Sequence, residues 1–173
     1  KAKEMWLKHA QQKEQEGRLG EAARAHRDAG NKDKATELWL KAAQEEEQNG
    51  RFEDAARAYK SASDKTKAQN LWLKIAQEKE QENNFGSAAW AYENADNHTK
   101  AKELYLKAAQ QDEQTNDFLG AAQAYENAGN SDKAEEMWTK RAQKEEQAGS
   151  FSEAAKTYKH IGNKAKAEEM RKK

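Results

Sequence analysis

Lys34–Thr66 reads KATELWLKAAQEEEQNGRFEDAARAYKSASDKT, and a shift of 33 residues lays the sequence back on itself without a gap. Copies occupy residues 1–33, 34–66, 67–99, 100–132 and 133–165, and a sixth is cut short at 166–173. One ring position is held by Trp6, Trp39, Trp72, Tyr105 and Trp138. A second is held by His26, Tyr59, Tyr92, Tyr125 and Tyr158, and a third by Leu19, Phe52, Phe85, Phe118 and Phe151. A fixed period of roughly 20 to 50 residues is the signature of a stacked array. Rings kept in register in every copy argue for order, because a disordered polyampholyte has no reason to place them.

Within the quoted stretch, Ala35, Leu38, Trp39, Ala42 and Ala43 recur at i, i+3, i+4, i+7 and i+8, which predicts an amphipathic helix over 34–49. Glu37 and Lys41 stand in the favourable i, i+4 order. Gly50 ends this helix, as do Gly17, Asn83, Asn116 and Gly149 in the other copies. Only Gly and Asn occur there, the residues that tolerate a left-handed backbone after a helix. A second helix is predicted from Phe52 to about Ala62, with Phe52, Ala55, Ala56, Tyr59 and Ala62 inward. The recurring Ala-Ala pair lets two helices approach closely while the rings fill the remaining space. Gly30, Ser63, Asp96, Gly129 and Gly162 mark the return turn. Asn, Asp or Thr before each first helix is expected to cap it, and Thr66–Gln69 and Asp132–Glu135 have capping-box spacing. The predicted fold is all-α: an α-solenoid of five antiparallel helix-pair repeats plus a partial sixth helix, forming one repeat domain over 1–173. A helix pair held together mostly by alanine buries little alone, so the array is the folding unit. Neither end is an evident cap: the first helix begins at once, and an eight-residue stub with Arg171 at the Trp position is expected to cover little.

Composition narrows the function classes. Lys plus Arg equals Asp plus Glu, 31 each, so no net field steers the chain to phosphate or an anionic membrane. There is no cysteine, which excludes disulfides and thiolate metal sites. No apolar run approaches the roughly 18 residues of a membrane span, and no signal peptide is visible. The chain opens without Met and its last copy is short, as expected of a fragment. A cytoplasmic location is the default expectation.

Gly50-Arg51-Phe52-Glu53-Asp54-Ala55-Ala56-Arg57-Ala58-Tyr59 resembles the Gly-x-Tyr-x-x-Ala-x-x-x-Tyr stretch of the tetratricopeptide repeat. Trp39, Ala43 and Ala62 fall at further positions of that motif. The resemblance runs through all five copies, and the composition is also similar to the solenoids of SNAP-type trafficking adaptors. The period is one residue short of the family's usual 34, its closing Pro is missing, and charge replaces its second first-helix aromatic at Lys13, Glu46, Lys79, Asp112 and Glu145. The resemblance implies a right-handed superhelix whose first helices line a concave groove for a peptide or a partner's helix. The Lys/Asn clamp of the family's chaperone-binding members is not matched, because Glu37, Leu40, Gln44, Glu47 and Gln48 stand at those positions.

Catalysis has little support. His9, His26, His98 and His160 share no metal-ligand spacing, and there is no phosphate loop or nucleophile motif. No enzyme activity, cofactor or metal is expected. Nucleic acid is disfavoured by a row of Glu on the expected groove face. That face carries the candidate site. Gln11, Gln44, Gln77, Gln110 and Gln143 agree in every copy, as do Glu14, Glu47, Glu80, Glu113 and Glu146, and Gln15, Gln48, Gln81, Gln114 and Gln147. Leu7, Leu40, Leu73 and Leu106 continue the stripe, while the residues between drift. Two explanations follow. Either these side chains bond neighbouring helices, or they line a groove for a protein segment, with the Glu row favouring basic or neutral partners. A structural spacer that associates end to end, natural or idealised, is the alternative function.

Overall fold

The structure, a computed structural model, describes residues 2–173; Lys1, where the first copy opens, lies outside them. The described residues form eleven helices and no strand, an all-α repeat array. First-type helices are α1 (Ala2–Gln15), α3 (Lys32–Gln48), α5 (Lys65–Gln81), α7 (His98–Gln114), α9 (Ser131–Gln147) and the shorter α11 (Lys164–Arg171). Second-type helices are α2 (Leu19–Asp28), α4 (Phe52–Ser61), α6 (Phe85–Asn94), α8 (Phe118–Asn127) and α10 (Phe151–His160).

The chain divides into two compact units, residues up to Glu78 with Asn94–Asp96, and Lys79–Glu93 with Asn97–Lys173. In the first, α1 packs on α2, α2 on α3 and α3 on α4. In the second, α7 packs on α8, α8 on α9, α9 on α10 and α10 on α11. Every Ala-Ala pair of the second-type helices is buried, as are Trp39, Trp72, Tyr105 and Trp138. Small side chains at the crossing and rings beside them satisfy the need for dense packing that the repeat predicts.

Helix ends follow the expected chemistry with one correction. Gly17, Gly50 and Gly149 have φ of 72°, 73° and 74°, and Asn83 and Asn116 take the same left-handed region at 56° and 58°. Capping boxes do not form at Thr66 or Asp132. The first-type helices α3, α5 and α9 start two residues earlier than their periodicity suggests, so the caps are Asn31, Asp64 and Asn130, which accept from the amides of Lys34, Lys67 and Lys133. Thr66 and Asp132 thus lie within the first turn, and Gln69 Nε2 donates to Asp96 Oδ2 instead, at 3.0 Å. Asn97 and Asn163 cap α7 and α11 in the same way.

The two ends of the array also differ from expectation. The stub becomes α11, which buries Ala167 and Met170 against α10 and leaves Ala155 and Tyr158 covered. α1, in contrast, leaves Met5 71% and Trp6 43% exposed. An apolar face is retained on α1 that every later first-type helix buries.

Candidate functional site

The stripe singled out in the sequence lies on the first-type helices, and the structure divides it into two chemistries. The Glu row is engaged inside the protein. Tyr59 donates its hydroxyl proton to Glu47 at 2.9 Å, Tyr92 to Glu80 at 3.2 Å and Tyr158 to Glu146 at 3.1 Å. Tyr125 bonds Glu113 in the same way. In the first copy His26 Nε2 lies 2.8 Å from Glu14 Oε1. Each bond joins the first helix of a copy to its second helix across 12 residues. In three copies the lysine that opens the next copy completes the arrangement: Lys34 Nζ lies 3.8 Å from Glu14, Lys100 2.9 Å from Glu80 and Lys166 3.7 Å from Glu146, whereas Lys133 pairs with Glu136 at 2.9 Å. Lys67 Nζ instead sits over the Tyr59 ring at 4.9 Å, a cation–π placement.

These contacts set the protonation of the rings. Burial first, and the neighbouring carboxylate second, push Tyr59 and Tyr125 up to about 12. Tyr105, buried and facing Glu93, also reaches about 12, while Tyr92 and Tyr158 are raised for the same reasons as Tyr59. Glu146 is held below the ordinary carboxylate range by Lys173 and then by Tyr158. The row therefore reads as a Glu–Tyr–Lys stitch that the next copy's lysine closes at Glu14, Glu80 and Glu146.

A parallel stitch ties a second helix to the following first helix. Tyr105 donates to Glu93 at 3.1 Å, and Trp138 Nε1 to Glu126 at 2.8 Å. In the earlier copies Arg27 and Lys60 occupy the acceptor position, and Trp39 Nε1 is buried without a partner. The charged residues that replace the expected first-helix ring are half-buried and locally paired, as in Lys13–Glu16 at 2.7 Å and Arg141–Glu145 at 2.8 Å. Asp112 is the exception, raised by burial and by the Asp117 charge.

The two Gln rows behave differently. Gln11, Gln44, Gln77, Gln110 and Gln143, and Gln15, Gln48, Gln81, Gln114 and Gln147, are all exposed, and none of their side chains is hydrogen-bonded among the described residues. Leu7, Leu40, Leu73 and Leu106 are half-buried, so they contribute to both core and surface. In the second unit Gln143 and Gln147 line a surface depression of about 440 Å³ with Asn116, Phe118, Lys140 and Lys144. Leu106 faces another, of about 370 Å³, against residues 128–130 and the start of α9.

The depression beside α9 adds residues the stripe did not include. Phe118 lies under Lys144 Nζ at 5.5 Å, and that lysine also donates to the Asn116 carbonyl at 3.2 Å. Lys74, Lys107 and Lys173 cover Phe52, Phe85 and Phe151 at 4.1, 5.9 and 5.4 Å. The recurring Phe was visible as a ring position, and Lys74, Lys107 and Lys173 as copies of Lys41, whereas Lys144 stands four residues past that position. Their meeting was not, because they come from adjacent copies. Among the described residues no group of His, Asp and Glu side chains is placed to hold a metal ion, and no helix is long and apolar enough to cross a membrane. Comparison of the chain with family models, curated proteins and solved structures yields no match.

Proposed function

We propose that the chain is a non-enzymatic, tetratricopeptide-like interaction module whose first-type helices hold an extended or helical segment of a partner protein. The carrying observation is the contrast within the stripe. The fold uses the Glu row, whereas the Gln rows are equally constant in sequence and make no side-chain hydrogen bond among the described residues. A surface amide carries a donor and an acceptor, so a spaced row of them suits the backbone of an incoming chain. The Leu and Phe side chains beside them supply apolar contact. Because the Glu carboxylates already face Tyr or His26, and at Glu14, Glu80 and Glu146 also Lys, a neutral segment is favoured over a basic one.

The test is a peptide-library screen with the whole chain, followed by the triple variant Gln44→Ala, Gln77→Ala, Gln110→Ala. The expected result is weaker binding of the selected peptide with unchanged helicity and melting temperature. Unchanged affinity in the triple variant would remove the Gln rows from the site.

A further inference from the structure

The depression beside α9 differs in charge from its counterpart earlier in the array. Lys140, Gln143, Lys144 and Gln147 stand at i, i+3, i+4 and i+7, on one face of α9, and Asn116 and Phe118 of the preceding copy complete the lining. No carboxylate is among these residues. Where copy 5 has Lys144, the other copies have Gln12, Glu45, Glu78 and Gln111. At the junction of copies 1 and 2, Glu45 and Glu46 line the matching depression together with Arg18, Glu21 and Arg24. That depression is open although α4 and α5 follow it. Lys74 and Lys107 cover the rings of Phe52 and Phe85, and their counterpart in copy 5 is Lys140. Lys144 covers Phe118 instead, so two ammonium groups line one depression.

We infer that this depression seats an acidic side chain of the bound segment, an Asp or Glu between Lys140 and Lys144 with an apolar neighbour against Phe118. The inference rests on the reading of the first-type helices as the binding face, and adds the place where charge sets the segment's register. Other charges around the depression already have partners. Lys140 meets Glu136 at 2.7 Å and Arg141 meets Glu145 at 2.8 Å. Asp117 caps α8 by accepting from the Gly120 amide at 3.0 Å. Lys144 is exposed and makes no ion pair among the described residues; it donates to the Asn116 carbonyl at 3.2 Å and lies over the Phe118 ring. An ammonium carries three donors, so two remain for a carboxylate, whose charge-assisted bond is stronger than one to a carbonyl. The amides of Gln143 and Gln147 stand beside it for the segment's backbone. At Glu45 and Glu78 the same carboxylate would meet like charge, and such juxtapositions suppress wrong registers. Lys140 and Lys144 correspond to Lys41 and Glu45, outside the positions of the Lys/Asn clamp.

The probe is an array of peptides of about ten residues, capped at both ends, with a central Glu, Gln or Lys beside Leu and with varied flanks. Affinities for the whole chain are read by fluorescence anisotropy. Glu peptides are expected to bind about fivefold more tightly than their Gln twins, and the advantage shrinks as salt is raised. Lys144→Gln, which restores the residue type of copy 4, erases the advantage. Lys144→Glu, which restores that of copies 2 and 3, turns it into a preference for Lys peptides. Helicity and affinity for Gln peptides stay unchanged in both variants. Equal binding of Glu and Gln peptides, or a Glu advantage that survives both substitutions, would overturn the inference and leave the interaction module standing. Failure of every peptide to bind would overturn both. Sedimentation without peptide closes the test: a dimer that Lys144→Glu dissolves would give the depression to a second copy and overturn the inference.

Discussion

Replacing Tyr59 by Phe removes one hydroxyl and nothing else from a ring that is buried. The hydroxyl donates to Glu47 at 2.9 Å, and hydrogen bonds to charged groups contribute about 1.5–3 kcal/mol net. Glu47 is itself exposed, so its carboxylate regains water when the donor leaves, which places the loss near the lower end, about 1.5 kcal/mol. No cavity term is added, because the ring remains. For a chain of roughly 150–250 residues, each kcal/mol moves Tm by about 2–4 °C; Tyr59→Phe is thus expected to melt about 3–6 °C lower by circular dichroism. The triple Gln→Ala variant at 44, 77 and 110 is the counterpart. Surface substitutions away from special features stay within about 0.5 kcal/mol each, and Ala is a slightly better helix former than Gln. A triple variant that melts as low as Tyr59→Phe would refute the division of the stripe into structural Glu and free Gln. So would a Tyr59→Phe protein with unchanged Tm. A double-mutant cycle with Glu47→Gln isolates the pair, and the expected coupling is about 1 kcal/mol.

Alkaline titration followed by tyrosinate absorbance should show late ionisation. Free tyrosine titrates near 10, whereas Tyr59, Tyr105 and Tyr125 are pushed to about 12 by burial and a facing carboxylate. Raised values mean that this stabilisation is complete below about 10 and is lost as pH rises through about 12, so unfolding and tyrosinate formation should coincide in that window; early ionisation of the folded chain would contradict it. Trp72, 1% exposed, and Trp6, 43% exposed, provide a second contrast. Truncating a buried aromatic to Ala costs about 3–5 kcal/mol, so Trp72→Ala should depress thermal stability far more than Trp6→Ala, and equal effects would undo the assignment of Trp72 to the core.

The helix pairs were legible because their signals are local. Apolar spacing at 35, 38, 39, 42 and 43 and the Gly/Asn alternation at position 50 and its equivalents report on a few neighbouring residues. The stitch was only half legible. Constancy of Glu14, Glu47, Glu80, Glu113 and Glu146 showed a constraint, yet could not separate a bond made inside the protein from one made outside. That required knowing that residues 12 apart on successive helices meet. The cover provided by α11 was missed for a related reason. Its charged sequence hides two apolar residues, Ala167 and Met170, whose worth depends on the surface of α10.

The Glu–Tyr–Lys stitch also bears on how such a chain can change length. Tyr meets Glu only across a fixed separation, and Lys reaches the pair from the copy that follows. Inserting one residue into a helix turns every later side chain by about 100°, which would part Tyr from Glu in that copy. Gain or loss of a whole copy leaves the separations intact, since the new copy brings its own Glu and Tyr. Duplication is therefore tolerated where single insertions are not, and copy number becomes the dimension along which the sequence is free to vary.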